Sequence, residues 1–288
     1  MQARRTGGIA ENEVRIGDCD VRYVRMGTGP SVLLLHTLRT QLEYFLPLIR
    51  TLEATGLDIV APDLPGHGRS TAPDAEYTAA YFIDTVARFL EACDVKRAVV
   101  VGDSIGGSIA LALAARQNPR VARIVAINPY DYGRRGGIRR SSPLANVLFG
   151  AMLLPAIGPL VLRVGTKRVF RKVMEGGVYD PRTLPPDLVD EVWACGSLPG
   201  HERAFVSLCR QWKTSIDARA AYPAIEMPVT LIYGEHDWSR VEDRRANQRV
   251  LRNLRTLSLE ECGHFASLEQ PERIARVIRE EVSRVNAA

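Results

Sequence analysis

Short apolar runs recur along the chain, and most are separated by longer stretches in which apolar residues repeat at helical spacing. The runs that predict buried strands cover residues 31–35, 57–61, 97–101, 121–127, 229–233 and 254–259. Helical spacing is clearest at Tyr81, Val86, Phe89 and Leu90 and at Ile274, Val277, Ile278 and Val282. Alternation of this kind predicts an α/β fold with a mostly parallel sheet and helices on both faces.

Two further strands precede these, around residues 13–16 and 21–26, and a Gly-Asp-Cys-Asp turn joins them into an antiparallel edge. They bring the expected sheet to eight strands. From about residue 133 to 211 the alternation stops, and the pattern favours helices and loops until it resumes at Met227-Pro228. We therefore expect a core of residues 1–132 and 212–288, with a helical cap subdomain of residues 133–211 inserted after the sixth strand.

Composition is that of an ordinary globular chain, with 46% hydrophobic and 25% charged among 288 residues. The N-terminal MQARRTGGIAENEV contains no apolar run typical of a secretory signal, so a cytoplasmic protein is expected. Five scattered cysteines without a C-x-x-C pair predict reduced packing residues and no metal site. A net charge of +5 is too small to predict nucleic-acid binding.

The strongest local motif is Gly102-Asp103-Ser104-Ile105-Gly106, which follows the apolar run 98–101 and precedes the alanine-rich stretch 108–116. A tight strand-to-helix turn needs small residues around a nucleophile, since larger side chains would collide with the neighbouring strand and helix. The helix N-terminus also favours negative charge that develops nearby. With strand, turn and helix in place, the sequence resembles an α/β-hydrolase.

The resemblance implies an acid just past a later strand and a histidine last in the chain. Asp237 ends the segment that starts at Met227-Pro228, and His264 lies in Glu-Cys-Gly-His-Phe after the next strand. Ser104, Asp237 and His264 thus match the family's catalytic residues, in which an imidazole takes the serine proton and a carboxylate orients the imidazole. Glu235 is the alternative acid. The remaining histidines considered, interpreted as structural, are His67, His201 and His236.

The expected oxyanion hole departs from the family's usual His-Gly pattern, because the third strand is followed by His36-Thr37-Leu38-Arg39-Thr40. By position the two donors are the backbone N–H groups of Leu38 and Ile105. Thr37 replaces the glycine, and its β-branched side chain restricts the backbone there. The segment of residues 63–70, Asp-Leu-Pro-Gly-His-Gly-Arg-Ser, resembles the family's loop after the fourth strand and is interpreted as scaffold.

Arg39 is unusual beside this loop, because its guanidinium could hold a substrate carboxylate through two hydrogen bonds. The alternatives are that Arg39 faces solvent or pairs with Glu43. The other expected substrate contacts are His36, Tyr130, Trp238 and Phe265.

The apolar segment 143–162 is close to the roughly 20 residues that a transmembrane helix needs, but Pro155, Gly158 and Pro159 interrupt it. We expect two short cap helices whose apolar faces cover an acyl or aromatic pocket. Basic residues flank the segment, so a peripheral contact between the cap and an anionic membrane surface is the alternative. The basic residues are Arg134, Arg135, Arg139, Arg140, Arg163, Lys167, Arg168, Arg171 and Lys172.

These features predict a serine hydrolase that cleaves a carboxylic ester of a hydrophobic small molecule through an acyl-enzyme, without a metal or organic cofactor. Three alternatives use the same residues: C–C bond hydrolysis of a vinylogous diketone, acyl transfer to another acceptor, and ligand binding without turnover. A carboxylate clamp at Arg39 would favour the first of these. An aspartate nucleophile, as in dehalogenases and epoxide hydrolases of this fold, is disfavoured by serine at position 104. Monomer and dimer are both open.

Overall fold

One sheet of nine strands organises the chain in the computed structural model, which describes residues 4–132, 137–154, 158, 161 and 165–287. The strand order across the sheet is β1-β2-β3-β5-β4-β6-β7-β8-β9. The strands are β1 Arg5–Thr6, β2 Ile9–Ile16, β3 Cys19–Met26, β4 Ser31–Leu35, β5 Asp58–Pro62, β6 Ala98–Asp103, β7 Val121–Ile127, β8 Val229–Gly234 and β9 Leu254–Leu259.

Helices follow most strands. They are α1 Leu46–Leu52, α2 Ala79–Ala92, α3 Ile105–Ala115, α4 Pro143–Met152, α5 Lys167–Glu175, α6 Pro186–Cys195, α7 His201–Arg210, α8 Trp212–Ala218, α9 Val241–Val250, α10 Ala266–Glu269 and α11 Pro271–Asn286. Strands β4 to β9 pair in parallel, whereas β1, β2 and β3 form an antiparallel edge. The predicted α/β class with a mostly parallel sheet is confirmed.

The predicted count of eight strands was one too low. Strand β1 has only two residues and pairs with β2 through Arg5 opposite Ala10 and Thr6 opposite Ile9. A strand of this length has no recognisable alternation of apolar and polar residues, so the sequence pattern could not show it. The inserted helices consequently follow the seventh strand and not the sixth.

The two faces of the sheet bury separate sets of side chains. In β4, Leu33 and Leu35 pack on the side of α2 and α3, whereas Val32 and Leu34 pack on the side of α1 and α11. Successive residues of a strand point to opposite faces, so a central strand with both faces covered is apolar throughout. All five cysteines are buried and unpaired, as expected of packing residues.

Helices α4 to α8 form the segment between β7 and β8, which contains no strand in its described residues. Helix α4 begins at Pro143 because Ser142 Oγ accepts a hydrogen bond from the Ala145 N–H at 3.1 Å. Residues 155–157, 159–160 and 162–164, where the second cap helix is expected, lie outside the described residues. The division into residues 1–132, 133–211 and 212–288 stays a prediction, and the structure begins α8 at Trp212, directly after the predicted end of the cap.

Two observations concern the possible membrane contacts of the segment 143–162. Within the described ranges, no helix has both the length and the apolar character required to cross a bilayer. Helix α4 exposes Leu144 and Val147, the latter at 67% of its surface, and Leu154 just after the helix is also exposed. Peripheral membrane contact stays a prediction.

A buried cluster of charges holds the antiparallel edge to the loops that lead to the site. The Arg22 side chain is only 4% exposed, and its Nη1 lies 2.8 Å from Asp63 Oδ2. Its Nη2 lies 2.6 Å from Glu43 Oε1 and 3.1 Å from Glu11 Oε1. Asp63 Oδ1 in turn accepts a hydrogen bond from the Leu42 N–H at 2.8 Å. One guanidinium therefore fixes three acidic residues from different parts of the chain.

We expect Arg22→Met to lower the free energy of unfolding by about 3–5 kcal/mol, because it leaves Asp63 and Glu43 buried without their cation. Arg15→Met is the matched control, since Arg15 pairs with Asp20 at 2.8 Å but is 59% exposed. Removing an exposed pair costs about 0–1 kcal/mol. Urea unfolding of both variants gives the comparison, and equal losses would contradict the importance of the buried cluster.

Candidate active site

Ser104 lies in the turn between β6 and α3, with φ +58° and ψ −116°. This backbone conformation is strained for a residue other than glycine, at a cost of about 1–3 kcal/mol. The neighbouring glycines are required because the turn leaves no space for a side chain at their positions. A Cβ on Gly102 would collide with the backbone of Gly106, and a Cβ on Gly106 would collide with the Leu35 carbonyl of β4. The strand-to-helix turn predicted around Ser104 is therefore present.

Ser104, His264 and Asp237 form a continuous hydrogen-bond chain. His264 Nε2 lies 2.8 Å from Ser104 Oγ, and His264 Nδ1 lies 2.5 Å from Asp237 Oδ1. A carboxylate only accepts hydrogen bonds, so the proton is on Nδ1 and the Nε2 lone pair faces the serine hydroxyl. The imidazole is thus positioned as a general base for Ser104. Glu235, the alternative acid, is exposed and has no part in this chain.

Asp237 is buried and held in its charged form. Its Oδ2 accepts hydrogen bonds from Ser239, from the N–H at 2.9 Å and from the hydroxyl. Burial by itself raises the pKa of Asp237, but the neighbouring His264 and the two Ser239 donors outweigh it, so that its pKa lies below the ordinary value. A charged carboxylate here orients the imidazole and stabilises the imidazolium that forms during proton transfer.

Asn128 joins the loops that carry the acid and the base. Its Nδ2 donates to the carbonyl oxygens of Gly263 and His264 at 3.1 and 3.0 Å. Its Oδ1 accepts from the Gly234 N–H at 3.0 Å. This residue was not among the predicted site residues. The available signal was a polar residue with no obvious role directly after the apolar run 121–127.

Asp103, next to Ser104, is a second residue with a role that was not predicted. It is fully buried and accepts hydrogen bonds from the Tyr44 hydroxyl and, at 2.9 Å, from the Ser267 hydroxyl. Burial raises the pKa of Asp103 to about 6 against the opposite effect of these donors. Its contacts tie the end of β6 to α10, directly beyond the loop of His264.

Glu269 holds the loop of His264 from the other side. Its Oε1 accepts from the Gly263 N–H at 2.9 Å, and its Oε2 accepts from the Tyr179 N–H at 2.7 Å. Tyr179 belongs to the segment between β7 and β8, where the Gly177 carbonyl also accepts from the His264 N–H at 2.8 Å. Burial raises the pKa of Glu269 to about 7. The base is thus positioned partly by the inserted segment.

Trp238 was predicted to contact substrate, and the structure places it differently. Its ring stacks on the His264 imidazole, with centroids 3.8 Å apart and an interplanar angle of 15°. Its Nε1 donates to the Gly176 carbonyl at 2.9 Å, and it lies outside the walls of the two cavities described below. The stacked indole covers one face of the base and fixes its plane.

His36 was also predicted as a substrate contact, and the structure gives both of its ring nitrogens other partners. It has no exposed surface, its Nδ1 donates to the Thr37 carbonyl at 2.9 Å, and its Nε2 accepts from the Leu64 N–H at 2.9 Å. Burial lowers the pKa of His36 to about 4, so the ring stays neutral near pH 7. His36 binds the loop of residues 63–70 to the turn that contains Leu38, which agrees with the scaffold interpretation of that loop.

The turn from Thr37 to Thr40 explains how threonine replaces the family's glycine. The Thr37 carbonyl accepts from the Thr40 N–H at 3.3 Å and from the Thr40 hydroxyl at 2.9 Å. The left-handed conformation in this turn falls on Arg39, with φ +56°, and not on Thr37. No glycine is therefore required at position 37.

The expected oxyanion donors remain available. The N–H groups of Leu38 and Ile105 donate no hydrogen bond within the part of the chain that the structure describes. Both residues line the smaller of two cavities at the site, of about 90 Å³. Two unpaired N–H groups beside the nucleophile are what an oxyanion hole requires, and this role stays a prediction.

The larger cavity has a volume of about 360 Å³ and also includes Leu38 in its wall. Leu38, Ile138 and Phe149 line both cavities, so the two adjoin. The larger one is mostly apolar, and its wall includes Met152, Phe170, Trp193, Phe205 and Phe265. Of the expected substrate contacts, Tyr130 lines the smaller cavity, whereas Phe265 and Arg39 line the larger one.

The remaining histidines have structural contacts. His67 Nδ1 donates to the Pro65 carbonyl at 3.0 Å, His201 Nε2 donates to the Gly68 carbonyl at 3.1 Å, and the His236 ring lies beside Tyr179. Across the described ranges, no three histidine, cysteine or acidic side chains gather as a group that could hold a metal ion.

Comparison with known proteins finds one matching family model and several similar proteins. The model of the alpha/beta hydrolase family matches residues 32–277. The magnesium-chelatase 30 kDa subunit of Rhodobacter capsulatus is 31% identical over 262 residues, or 87% of each chain. The 2-hydroxymuconate semialdehyde hydrolase of Pseudomonas sp. (strain CF600) is 24% identical over 239 residues, 80% of this chain and 78% of that one. A solved structure of a membrane phospholipase A, a bacterial virulence factor, has a TM-score of 0.78 and 26% identity, covering 98% of this chain and 88% of that one.

Glu269 gives a prediction about pH. The pKa is about 7 in the folded protein against an ordinary value of 4.5, so the folded state keeps a proton that the unfolded state releases between these values. Relative to Glu269→Gln, the parent protein should therefore lose stability as the pH rises from 4.5 to 7. Urea unfolding of both proteins across this range measures the difference.

The exposed Glu260 supplies the control, as Glu260→Gln. A stability difference between parent and Glu269→Gln that does not change with pH would contradict this account of Glu269. So would a pH dependence that Glu260→Gln reproduces.

Proposed function

Because the chain belongs to the alpha/beta hydrolase family, we propose that it is a serine hydrolase that cleaves a carboxylic ester of a hydrophobic small molecule through an acyl-enzyme. The observation that carries the proposal is the buried chain of hydrogen bonds from Asp237 through His264 to Ser104. This arrangement activates a serine hydroxyl and returns its proton to a leaving group.

The reaction begins when Ser104 Oγ attacks the ester carbonyl and His264 Nε2 takes the hydroxyl proton. The carbonyl oxygen becomes an oxyanion, which the Leu38 and Ile105 N–H groups stabilise. The intermediate collapses, the C–O bond of the ester breaks, and His264 gives its proton to the departing alcohol. Water, deprotonated by His264, then attacks the acyl-enzyme and releases the carboxylic acid and free Ser104.

Two adjoining cavities support a substrate with two parts. The apolar wall of the larger cavity favours a hydrophobic portion of about the size that 360 Å³ can hold. The smaller cavity, next to Ile105, would take the other portion. Leu38 lines both cavities, so a substrate whose scissile bond lies beside the Leu38 N–H could place one portion in each.

C–C bond hydrolysis is the second candidate, and one relative's name together with Arg39 favours it. That relative is named as a 2-hydroxymuconate semialdehyde hydrolase. Hydrolysis of 2-hydroxymuconate semialdehyde at a higher kcat/KM than any ester tested would make this the preferred assignment. Rates that rise when alcohols are added as acceptors would instead indicate acyl transfer.

We expect p-nitrophenyl esters of graded acyl length to give a burst of p-nitrophenol and a mass increase on Ser104 that equals the acyl group. In Ser104→Ala both should disappear, with kcat reduced by about 10⁶-fold. Ser258→Ala, which changes an exposed serine on β9, is the matched control. Equal rates in parent and Ser104→Ala, with no adduct, would contradict the mechanism and favour ligand binding without turnover.

A further inference from the structure

Arg39 places a guanidinium in the wall of the larger cavity. Its Cζ lies 4.7 Å from the centre of the Phe205 ring and 5.9 Å from that of Phe170. On a third side, a Cβ at position 196 would come within 2.5 Å of Nη2, so Gly196 leaves the space that the guanidinium occupies. Two rings, a glycine and the left-handed backbone of Arg39 itself therefore hold this cation in one place.

In the part of the chain that the structure describes, the guanidinium is in no ion pair, although the charge of Glu202 on the same cavity wall acts on it through space. Across the described residues, Arg39 forms no ion pair and donates no hydrogen bond from its side chain. The residues outside the described ranges include no aspartate or glutamate. Glu43, the partner considered from the sequence, accepts hydrogen bonds from Arg22 instead.

An unpaired cation in an apolar wall is costly. Burial lowers the pKa of Arg39, yet a guanidinium remains protonated at physiological pH, so the protein bears the cost of a partly desolvated charge. The aromatic rings offset part of it through cation–π contact. They leave its five N–H donors without an acceptor among the described residues, and an anion in the cavity would supply one.

We propose that Arg39 binds a carboxylate carried by the substrate, so that the preferred ester has a second, anionic carboxylate at the end that enters the larger cavity. The inference rests on the proposed ester hydrolysis and narrows it to half-esters of dicarboxylic acids and similar monoanionic esters. A carboxylate matches the planar fork of the guanidinium through two parallel hydrogen bonds. The apolar wall would then contact the chain between that carboxylate and the scissile ester.

Glu202 is the other charged residue in the wall of this cavity. It lies in the first turn of α7 and lines the same wall, without an ion pair to Arg39. Its negative charge opposes a bound carboxylate, so Glu202→Gln should strengthen the preference for anionic esters. The two residues thus give opposite expectations for two substitutions in one cavity.

The test compares p-nitrophenyl half-esters of succinate, glutarate, adipate and suberate with the same compounds capped as methyl esters. For the best chain length, the parent protein should favour the anionic member by about 10- to 100-fold in kcat/KM, as expected for hydrogen bonds to a charged group. In Arg39→Met this ratio should fall to near one, and Arg39→Lys should restore part of it. Arg168→Met, which removes an exposed cation of α5, should leave the ratio unchanged.

Binding provides a readout that does not depend on turnover. Calorimetric titration of Ser104→Ala with monomethyl adipate and dimethyl adipate should show tighter binding of the monoanion. The double variant with Arg39→Met should lose that difference. Circular dichroism and thermal unfolding confirm that each variant is folded.

The outcomes separate the two proposals. Turnover that depends on Ser104 but does not distinguish anionic from capped esters would overturn the role of Arg39 and leave the hydrolase intact. Absence of turnover, with monoanion binding that depends on Arg39, would overturn the ester hydrolysis and retain the carboxylate site. Equal binding of monomethyl and dimethyl adipate would overturn the carboxylate site in either case.

Discussion

The site depends on one interaction, the buried hydrogen-bond chain that joins Asp237, His264 and Ser104. Its members come from three segments of the chain, so its geometry requires that the ends of β6, β8 and β9 stay in register. Parallel pairing supplies this register, and Asn128 then fixes the two loops beyond the strands to each other. A displacement of about 1 Å in any of these parts would separate base from nucleophile.

Polar groups that are buried around this chain maintain its position. Asp103 and Glu269 fix the residues on either side of His264, while Arg22 and His36 fix the loops near Leu38. Each exchanges exposure to water for a specific partner, which is favourable only when the partner is in place. Arg39 is the exception, because the protein gives its guanidinium no acceptor in the described residues, and this contrast points to the substrate.

The sequence was sufficient for features that depend on local patterns. Strands β4, β7 and β9 have the predicted bounds, and Gly102 and Gly106 showed where the chain turns at Ser104. It was insufficient where a side chain's role depends on distant partners. His36 and Trp238 are typical pocket residues by position, yet one bonds to Leu64 and the other stacks on His264. Only the folded structure shows that Glu43 forms its ion pair with Arg22.

A crystal structure of the protein after reaction with an alkyl fluorophosphonate would test the arrangement around Ser104, because the phosphonyl oxygen takes the place of the oxyanion. We expect phosphorus bonded to Ser104 Oγ, with that oxygen about 2.7–3.1 Å from the backbone nitrogens of both Leu38 and Ile105. Modification at another residue, or an oxygen directed away from both nitrogens, would contradict this arrangement.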